Sequence, residues 1–347
     1  MKLFIRADAN NIIATGHIMR CIAIAQAAIE LGHKAIFIVA DDDSKELLER
    51  HNMEYICLNS IWNQMDNEIE CIYEVIDRER PDYILVDSYY VTESYLENLK
   101  RKCKVAYIDD LGEMIYPCDT LISYAGYYDK FNYEKRYSNE TNLLLGMKYV
   151  PLRKEYENID KVKCKCFESK INILIMTGGT DNYHIIDGFL EEWQRKTNNT
   201  LSVNIVAICG KYNIDYDNMK KKYAHMSNVK LVKTAESLKE YMLAADIAIS
   251  ASGTTLFELC ACGTPTICYT LADNQISNAT WFLTNGYMMY AGDVRDDNVV
   301  LNIVNEIEEL LRNDKKRKLL SQKMFKSVDG KGAKRIVREI SECIKKL

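Results

Sequence analysis

The chain has 347 residues, 48% hydrophobic and 27% charged, which is the size and balance of a globular protein with about two domains. Its formal net charge of −5 argues against a nucleic-acid partner, because proteins that bind the phosphate backbone carry a positive balance. It has no apolar run of about 18 residues and no leader-like segment, so we expect no membrane insertion and a cytoplasmic location. The 12 cysteines form no spacing typical of a zinc site, and we predict no metal and no cofactor.

Strand and helix signals alternate through the first half of the chain. The expected apolar strands lie at residues 2–8, 34–40, 82–88, 104–110 and 119–124. A helix is predicted over residues 18–31 and ends before Gly32, and a second helix begins at Ser44, which we expect to cap it. Strands and helices at this spacing predict a doubly wound parallel sheet.

The same alternation restarts after a polar stretch at residues 153–170 that has no apolar period. A helix is predicted at 185–196, and the expected strands lie at residues 171–179, 202–209, 228–233, 245–253 and 265–271. We therefore predict an α/β protein of two doubly wound, Rossmann-like domains that face each other across a ligand-binding cleft. The expected segments are a first domain at 1–150, a linker at 151–170, a second domain at 171–330 and a final helix at 331–347.

The first loop that offers chemistry lies in residues 14–33, where Gly16 and His17 follow the first strand and open a helix. His17 is one of only five histidines, and a neutral imidazole is a suitable base near neutral pH. The same pattern fits an ordinary helix start, so the residues alone leave both interpretations open.

Two further loops share the order of apolar strand, small-residue turn and helix. The residues concerned are Gly178 and Gly179 in the second loop and Ser252, Gly253 and Thr254 in the third. A helix N-terminus presents unpaired N–H groups that suit a phosphate, and glycine lets a ligand approach the backbone. Neither loop has the lysine of a Walker A motif or the three glycines of a dinucleotide-binding motif. An ordinary structural turn is the alternative interpretation of the Gly-Gly pair.

Glu258 lies one turn along the helix that follows the third loop, among apolar neighbours that predict partial burial. A carboxylate there can accept two hydrogen bonds from a ribose diol, whereas the alternative is a surface residue. The acidic run at residues 41–43 resembles an Asp-x-Asp metal motif only superficially. Because it follows a strand and precedes Ser44, we interpret it as helix capping.

Six segments, in order along nearly the whole chain, carry a family resemblance. They are residues 5–20, 84–90, 143–156, 176–182, 250–269 and 272–287. The sequence of the first segment is IRADANNIIATGHIMR. On these motifs the chain resembles the UDP-2,4-diacetamido-2,4,6-trideoxy-β-L-altropyranose hydrolases of pseudaminic acid biosynthesis, nucleotide-sugar enzymes of the GT-B type. A more distant similarity, strongest in the carboxyl-terminal half, is to the N-acetylglucosaminyltransferase that makes peptidoglycan lipid II. The resemblance implies a GT-B-like fold and a UDP-sugar as the small-molecule substrate.

The resemblance also implies residue roles. The implied catalytic residues are His17, which would activate water, and Asp87 and Tyr89 at the end of a strand. The implied substrate-binding residues are Gly16, Arg20, Gly178, Gly179, Ser252, Gly253, Thr254, Glu258, Asn274 and Gln275. For Arg20 a solvated helix position is an equal alternative. Backbone at residues 208–210 and near Val232 would wall the uracil, so the first domain would supply the base and the second would hold the nucleotide.

The leading hypothesis is thus a metal-independent, inverting UDP-sugar hydrolase that releases UDP and the free sugar and acts as a monomer. Two alternatives stay open: a GT-B glycosyltransferase that passes the sugar to an acceptor alcohol, and a nucleotide-sugar-binding protein without catalysis. The sequence also leaves open which deoxy-acetamido sugar is bound and whether water cleaves the carbon–oxygen or the oxygen–phosphorus bond.

Overall fold

The computed structural model describes residues 1–160, 170–197, 203–235 and 237–345. The chain forms two compact units, and each is described by itself. The first unit combines Met1–Glu157 with Gly330–Leu347, and the second is Asn158–Asp329. Residues 161–169 of the predicted linker lie outside the described residues, as does residue 202 at the start of one predicted strand.

A seven-stranded parallel sheet forms the centre of the first unit, in the order β3-β2-β1-β4-β5-β6-β7. Its strands are β1 (Lys2–Ala7), β2 (Lys34–Val39), β3 (Glu54–Cys57), β4 (Tyr83–Asp87), β5 (Lys104–Ile108), β6 (Thr120–Ser123) and β7 (Asn142–Leu145). Its helices in the amino-terminal segment are α1 (Gly16–Glu30), α2 (Lys45–Arg50), α3 (Ile69–Glu79), α4 (Glu93–Lys100) and α5 (Tyr133–Arg136). Strand β4 is buried along its whole length and β1 is buried from its second residue on, which is why both are continuous apolar runs rather than alternating ones.

A six-stranded parallel sheet forms the centre of the second unit, in the order β10-β9-β8-β11-β12-β13. Its strands are β8 (Ile171–Met176), β9 (Val203–Ile208), β10 (Val229–Val232), β11 (Ile247–Ala251), β12 (Thr266–Thr270) and β13 (Met289–Asp293). Its helices are α6 (Ile185–Thr197), α7 (Tyr216–Lys222), α8 (Lys239–Ala244), α9 (Thr255–Cys262), α10 (Ile276–Thr284), α11 (Val299–Arg312) and α12 (Asp314–Ser327). A buried cluster that includes Phe189, Trp193 and Tyr269 forms its core.

The last helix, α13 (Gly332–Lys345), belongs to the first unit and packs against α1. Lys334 on this helix pairs with Glu157 at 2.6 Å and with Glu30 at 2.9 Å. Gly330 has a φ of +73° and its Cα faces the carbonyl of Tyr156 so closely that a Cβ would overlap it. Glycine is therefore required where the chain returns to the first unit.

The predicted α/β class with two doubly wound sheets is confirmed, and the predicted strands agree with the observed ones to within a few residues. Three strands were not predicted, namely β3, β7 and β13, and each lies at the edge of its sheet. An edge strand buries fewer side chains, so its apolar signal is weaker, as the partly exposed residues of β3 illustrate. Within the described ranges, no helix is both long and apolar enough to cross a membrane.

The predicted capping role of Ser44 is wrong. Its hydroxyl makes no cap hydrogen bond to α2 and instead accepts from the backbone N–H of Ala9 at 2.8 Å, because it faces the segment that follows β1. Asp41 does act as a cap, since its carboxylate accepts from the N–H of Asp43 at 2.9 Å at the start of a short 3₁₀ turn. The acidic run therefore begins a turn, as its sequence predicts.

Candidate functional site

The strand order of the first sheet reverses between β1 and β4, so the loops that follow these two strands turn to opposite faces. In open α/β sheets such a switch point, at the carboxyl ends of the strands, is where ligands bind. His17 lies in the first turn of α1, after β1, and Asp87 is the last residue of β4. Two of the three predicted catalytic residues thus flank the switch point of their own sheet.

The imidazole of His17 is fixed by the carboxylate of Asp87. Its Nδ1 lies 2.7 Å from Oδ1 of Asp87, and the side chain is 11% exposed. The carboxylate oxygen can only accept, so Nδ1 carries the proton. The guanidinium Nη2 of Arg20 lies 3.1 Å from Nδ1 and 2.5 Å from the same oxygen, which is the approach of two donors to one acceptor. In the neutral ring Nε2 is therefore the nitrogen with the free lone pair, which is what a base requires.

Arg20 is buried, and its donors point at protein groups. Nε and Nη2 donate to the two oxygens of Asp87 at 2.6 Å and 2.5 Å, a bidentate pair. Nη1 donates to Asp110 at 2.7 Å and to the hydroxyl of Tyr124 at 2.5 Å. The structure thus gives Arg20 an internal role in fixing Asp87, whereas the sequence suggested a substrate contact or a solvated position.

Charge pairing keeps Asp87 ionised in spite of its burial. Burial by itself would raise the pKa of this carboxyl, but Arg20 and then His17 outweigh it and hold the pKa of Asp87 well below its usual range. Burial also raises the pKa of the neighbouring Cys21 thiol, whose sulfur lies 3.4 Å from Oδ2 of Asp87. The thiol therefore stays neutral beside the carboxylate.

Tyr89 lies at the exposed rim of this site, in the loop after β4, with 41% of its surface exposed. Its ring meets that of His17 edge-on, with the centroids 4.5 Å apart and the planes at 84°. Its hydroxyl donates to Asp110 at 3.2 Å. Partial burial and the Asp110 carboxylate raise the pKa of Tyr89, so the hydroxyl remains a donor at neutral pH.

A second buried ion cluster lies in the same unit and was missed in the sequence. Arg6 on β1 donates to Glu68 at 2.6 Å and 2.9 Å and to Asp8 at 2.5 Å, and Tyr95 donates to Glu68 at 2.8 Å. All four side chains are buried. An arginine within an apolar strand is itself a signal, because a buried charge without partners would cost several kcal/mol. The sequence gives no spacing from which the partner Glu68 could be identified.

The second sheet has its own switch point, between β8 and β11. Gly178 and Gly179 follow β8 and are exposed, and Gly178 has a φ of +87°. Gly210, in the loop after β9, packs on their carbonyl oxygens so tightly that a Cβ would overlap them, and its own φ is +89°. The N–H of Tyr212 donates to the carbonyl of Gly179 at 3.0 Å, so the two loops support each other.

The loop before α9 presents backbone rather than side chains. Ser252 is buried, and its hydroxyl donates to the carbonyl of Tyr269 at 2.8 Å, so that proton is used within the fold. Asn278 donates to the carbonyl of Ser252 at 3.1 Å and holds the turn. Thr254 is exposed and precedes the first residue of α9, and the N–H groups of Leu256 and Phe257 in that turn already donate to the carbonyls of Gly253 and Thr254 at 3.2 Å and 3.0 Å. The donors that this loop can offer an anion are therefore the N–H groups of residues 253–255 and the Thr254 hydroxyl.

The other predicted ligand residues of this unit lie in or near the same loops. Glu258 is in the first turn of α9 and is partly buried. Asn274 is exposed. The side-chain oxygen of Gln275 accepts from the N–H of Leu271 at 3.0 Å, and its amide nitrogen lies next to Gly253. Their roles in binding remain predictions.

Asp181, which follows the Gly-Gly turn, caps α6. Its two oxygens accept from the N–H groups of Ile185 at 3.0 Å and Ile186 at 3.2 Å. Burial nevertheless raises the pKa of Asp181 to about 6. His184, at the end of this loop, is exposed and lies 2.7 Å from Asp215 through Nδ1.

A cavity of about 530 Å³ in the first unit lies at the opposite edge of its sheet from His17. It is lined by strand starts such as Lys104 and Asp119 and by Glu342 of α13. The amino ends of parallel strands are not where ligands of these sheets bind, so we place the candidate site at His17. Within the part of the chain that the structure describes, no three His, Cys, Asp or Glu side chains cluster in a way that could hold a metal.

Comparisons with known proteins agree with this architecture. The model of the glycosyltransferase family 28 C-terminal domain matches residues 172–340. The uncharacterized protein MJ1062 of Methanocaldococcus jannaschii is 25% identical over 278 residues, which is 77% of this chain and 55% of that protein. The chain therefore spans about half the length of the curated relative that it matches.

Solved structures of the same fold cover almost the whole chain. MurG of Acinetobacter baumannii superimposes with a TM-score of 0.72 at 13% identity over 99% of this chain and all of MurG. MnaA of S. aureus, solved with UDP, has a TM-score of 0.68 at 14% identity over 100% of this chain and 98% of MnaA. The spinosyn forosaminyltransferase SpnP has a TM-score of 0.66 at 11% identity over 99% of both chains. At these identities the likeness shows the fold alone, and that fold is GT-B.

Proposed function

We propose that this protein hydrolyses a UDP-activated 2,4-diacetamido-2,4,6-trideoxy sugar, with His17 as the base that activates water. The observation that carries the proposal is the pairing of His17 Nδ1 with the buried, ionised Asp87, which leaves Nε2 as the acceptor. This arrangement of a base held in one tautomer by a buried carboxylate is typical of general-base catalysis. The family resemblance of the motifs supplies the choice of substrate.

In the proposed reaction, water displaces UDP from the anomeric carbon of the sugar. Nε2 of His17 takes a proton from water, the water oxygen bonds to the anomeric carbon, and the bond from that carbon to the UDP oxygen breaks. UDP leaves with the electron pair, and the sugar is released with inverted configuration. The imidazolium that forms is stabilised by Asp87, and it returns its proton to solvent.

In this proposal the second unit binds the UDP group. Backbone N–H groups near Gly178, Gly179 and the start of α9 would donate to the diphosphate, and Glu258 would accept from the ribose hydroxyls. MnaA of S. aureus was solved with UDP, and its chain shares this fold, which supports UDP as the nucleotide of the proposed substrate. Donors fixed by the fold would also stabilise the charge that develops on departing UDP.

The experiment that tests hydrolysis is release of UDP from the UDP-sugar with no acceptor present. We expect continuous turnover, and performing it in heavy-oxygen water should label the free sugar and leave UDP unlabelled. Label in UDP would instead show that the oxygen–phosphorus bond is cleaved. Absence of UDP release unless an acceptor alcohol is added would contradict the hydrolase proposal.

A glycosyltransferase is the second candidate, and two findings favour it. The matched domain model belongs to a glycosyltransferase family, and one solved structure of the same fold is a forosaminyltransferase. In that case His17 would take its proton from an acceptor alcohol rather than from water. Strict dependence of UDP release on the acceptor would identify this activity, and tight UDP binding with no turnover under either condition would indicate a binding protein.

A further inference from the structure

A carboxylate that the sequence motifs do not single out, Asp110, connects the two residues that flank His17. Asp110 follows β5, and its side chain is 17% exposed. Its Oδ2 accepts from Nη1 of Arg20 at 2.7 Å and from the hydroxyl of Tyr89 at 3.2 Å. We propose that Asp110 is a positioning residue, which holds Arg20 and Tyr89 so that Asp87 and His17 keep their catalytic geometry. This inference rests on the proposed function only in taking His17 as the base.

The Arg20 cation is shared between two carboxylates. Arg20 gives two donors to Asp87 and one to Asp110, so the guanidinium is held between two carboxylates. Its Nη2 and Nδ1 of His17 converge on the same oxygen of Asp87. Without Asp110, Asp87 would be the carboxylate that balances the Arg20 charge. Arg20 would then bind Oδ1 of Asp87 more tightly and weaken the hydrogen bond from His17 to the same oxygen.

Asp110 also balances charge during the proposed reaction. With Asp110 present, the two carboxylates exceed the Arg20 cation by one negative charge, which matches the positive charge that His17 acquires on taking a proton. With Asp110 neutral, Arg20 and Asp87 would cancel, and the imidazolium would lack a balancing charge. Asp110 is therefore required when His17 is protonated, although it does not touch it.

Asp110 also orients Tyr89. Its ring packs edge-on against His17, and its hydroxyl is anchored by Asp110 at the other end. Ring contacts of this kind have a preferred geometry, so an anchored tyrosine restricts rotation of the imidazole. Asp110 thus acts on His17 from two sides, through Arg20 and through Tyr89.

The ionisable groups that face this cluster come from every element around it. They are Arg20 and Cys21 of α1, Asp87 and Tyr89 at the end of β4, Tyr107 of β5, Asp109 and Asp110 after β5, and Tyr124 and Tyr127 after β6. Burial raises the pKa of the Cys21 thiol and of the Tyr124 hydroxyl, and it raises the pKa of Tyr127 to about 12. The Cys21 thiol and the Tyr124 and Tyr127 hydroxyls therefore stay neutral between about pH 5 and 9, the range in which a histidine titrates.

The test compares full-length wild-type protein with Asp110→Asn by nitrogen NMR of ¹⁵N-histidine-labelled chains. We expect the variant to lose most of its preference for the Nδ1–H tautomer, and the midpoint of His17 protonation to fall by about half a pH unit to one unit. The turnover number should fall roughly tenfold while KM stays within about twofold, because positioning affects the base and not substrate binding. The acidic limb of the pH–rate profile should move with the NMR midpoint.

Asp109→Asn is the matched control, because it makes the same chemical change one residue away. Asp109 is buried and accepts from the N–H groups of Leu111 and Gly112, both at 2.9 Å, so its loss should lower stability and leave the His17 spectrum unchanged. If Asp109→Asn does not fold, Asp119→Asn at the opposite edge of the sheet replaces it.

Unchanged His17 tautomer and unchanged turnover in folded Asp110→Asn would overturn the inference. A second variant, Tyr89→Phe, keeps it testable if Asp110→Asn fails to fold, since removing the same hydrogen bond should also shift the His17 midpoint. The NMR readout needs no substrate. If wild-type protein released no UDP but Asp110→Asn still altered His17, the hydrolase proposal would fail and the positioning role would stand.

Discussion

The two units place their candidate residues at the same point of similar sheets but present different chemistry there. At the β1–β4 switch point, the first unit offers charged side chains held by ion pairs, with Asp87 at the centre. At the β8–β11 switch point, the second unit offers backbone and glycine, with Gly210 packed under the Gly178 turn.

The difference follows from what each ligand group requires. A base must be held in one tautomer and its charged form must be balanced, which calls for fixed carboxylates. A diphosphate needs several donors at once, and backbone N–H groups at a helix start provide them without any particular side chain. Changes at the first switch point should therefore alter turnover, and changes at the second should alter UDP binding.

Asp87→Asn should have the largest effect. The substitution removes the bidentate partner of the buried Arg20 and leaves Asp110 to balance its charge from the other side, so we expect the variant to be about 3–5 kcal/mol less stable than wild type at pH 7. The folded-state pKa of Asp87 lies below its unfolded value, so its contribution is present above about pH 4 and is lost as the pH falls further. The difference in free energy of unfolding between variant and wild type, measured with denaturant, should therefore become smaller as the pH falls from about 5 to about 3.

Asp109→Asn provides a control of opposite sign for that measurement. Burial raises the pKa of Asp109, so the folded wild type gains stability from protonation as the pH falls, and the variant does not. The difference in free energy of unfolding between wild type and Asp109→Asn should therefore grow over the same pH interval. A pH-independent gap for Asp87→Asn would mean that the Asp87–Arg20 pair does not hold the carboxyl ionised.

Gly210→Ala should destabilise the second unit by about 3 kcal/mol, because it combines a positive φ with overlap against the Gly178–Gly179 backbone. Affinity for UDP, measured by calorimetry, should fall with it, since the turn would be displaced. The matched control is Gly32→Ala, at φ +77° with open space around the new methyl group, which should lose only about 1–2 kcal/mol and bind UDP normally. Equal losses for both variants would show that the packing between the two loops is unimportant.

Asp181 should titrate near pH 6, about two units above an exposed aspartate. Because its folded-state pKa is raised, protonation favours the folded state, and stability should decline by about 2–3 kcal/mol as the pH rises from 4 to 6. Carbon NMR of the carboxyl gives the midpoint directly. Asp187, on the helix that Asp181 caps, is the control, because Lys222 and Tyr223 outweigh its burial and lower its pKa. A titration midpoint below about 4.5 for Asp181 would contradict burial as the main cause of its raised pKa.

Glu258→Gln should have the smallest effect, a loss of UDP affinity of about tenfold, because a carboxylate offers one acceptor oxygen to each ribose hydroxyl, whereas an amide replaces one of those oxygens by an N–H donor. Dideoxy-UDP, which lacks the ribose diol, provides the control ligand. Wild type should bind it about tenfold more weakly than UDP, and the variant should bind both alike. Equal loss of both ligands in the variant would remove Glu258 from the ribose site.

Much of the fold could be predicted from the sequence because buried parallel strands are continuous apolar runs. The runs at β1, β4, β8 and β11 were identified, and the candidate loops lie directly after them. Edge strands such as β3 were missed, since they bury too little to produce such a run. The Ser44 cap was wrong because a hydroxyl near a helix start can equally bond to a neighbouring loop.

The candidate site was only partly predictable, for a different physical reason. Local pattern identifies His17 as the residue at a helix start, but partners at a distance in sequence, such as Asp110, leave no mark in the pattern. Nor could it be predicted that Arg20 points inward, because a helix position one turn from His17 fits a buried or a solvated side chain equally. Which residues pair is decided by strand order, and that is set by the whole sheet.

The most direct test of the account is the rate of UDP release by His17→Ala, measured without acceptor beside the affinity of the same variant for UDP. The account predicts a fall in turnover of roughly a hundredfold or more, with a dissociation constant for UDP within about twofold of wild type. That result would assign the base to the first unit and nucleotide binding to the second. Turnover retained in a folded His17→Ala variant would contradict the central claim.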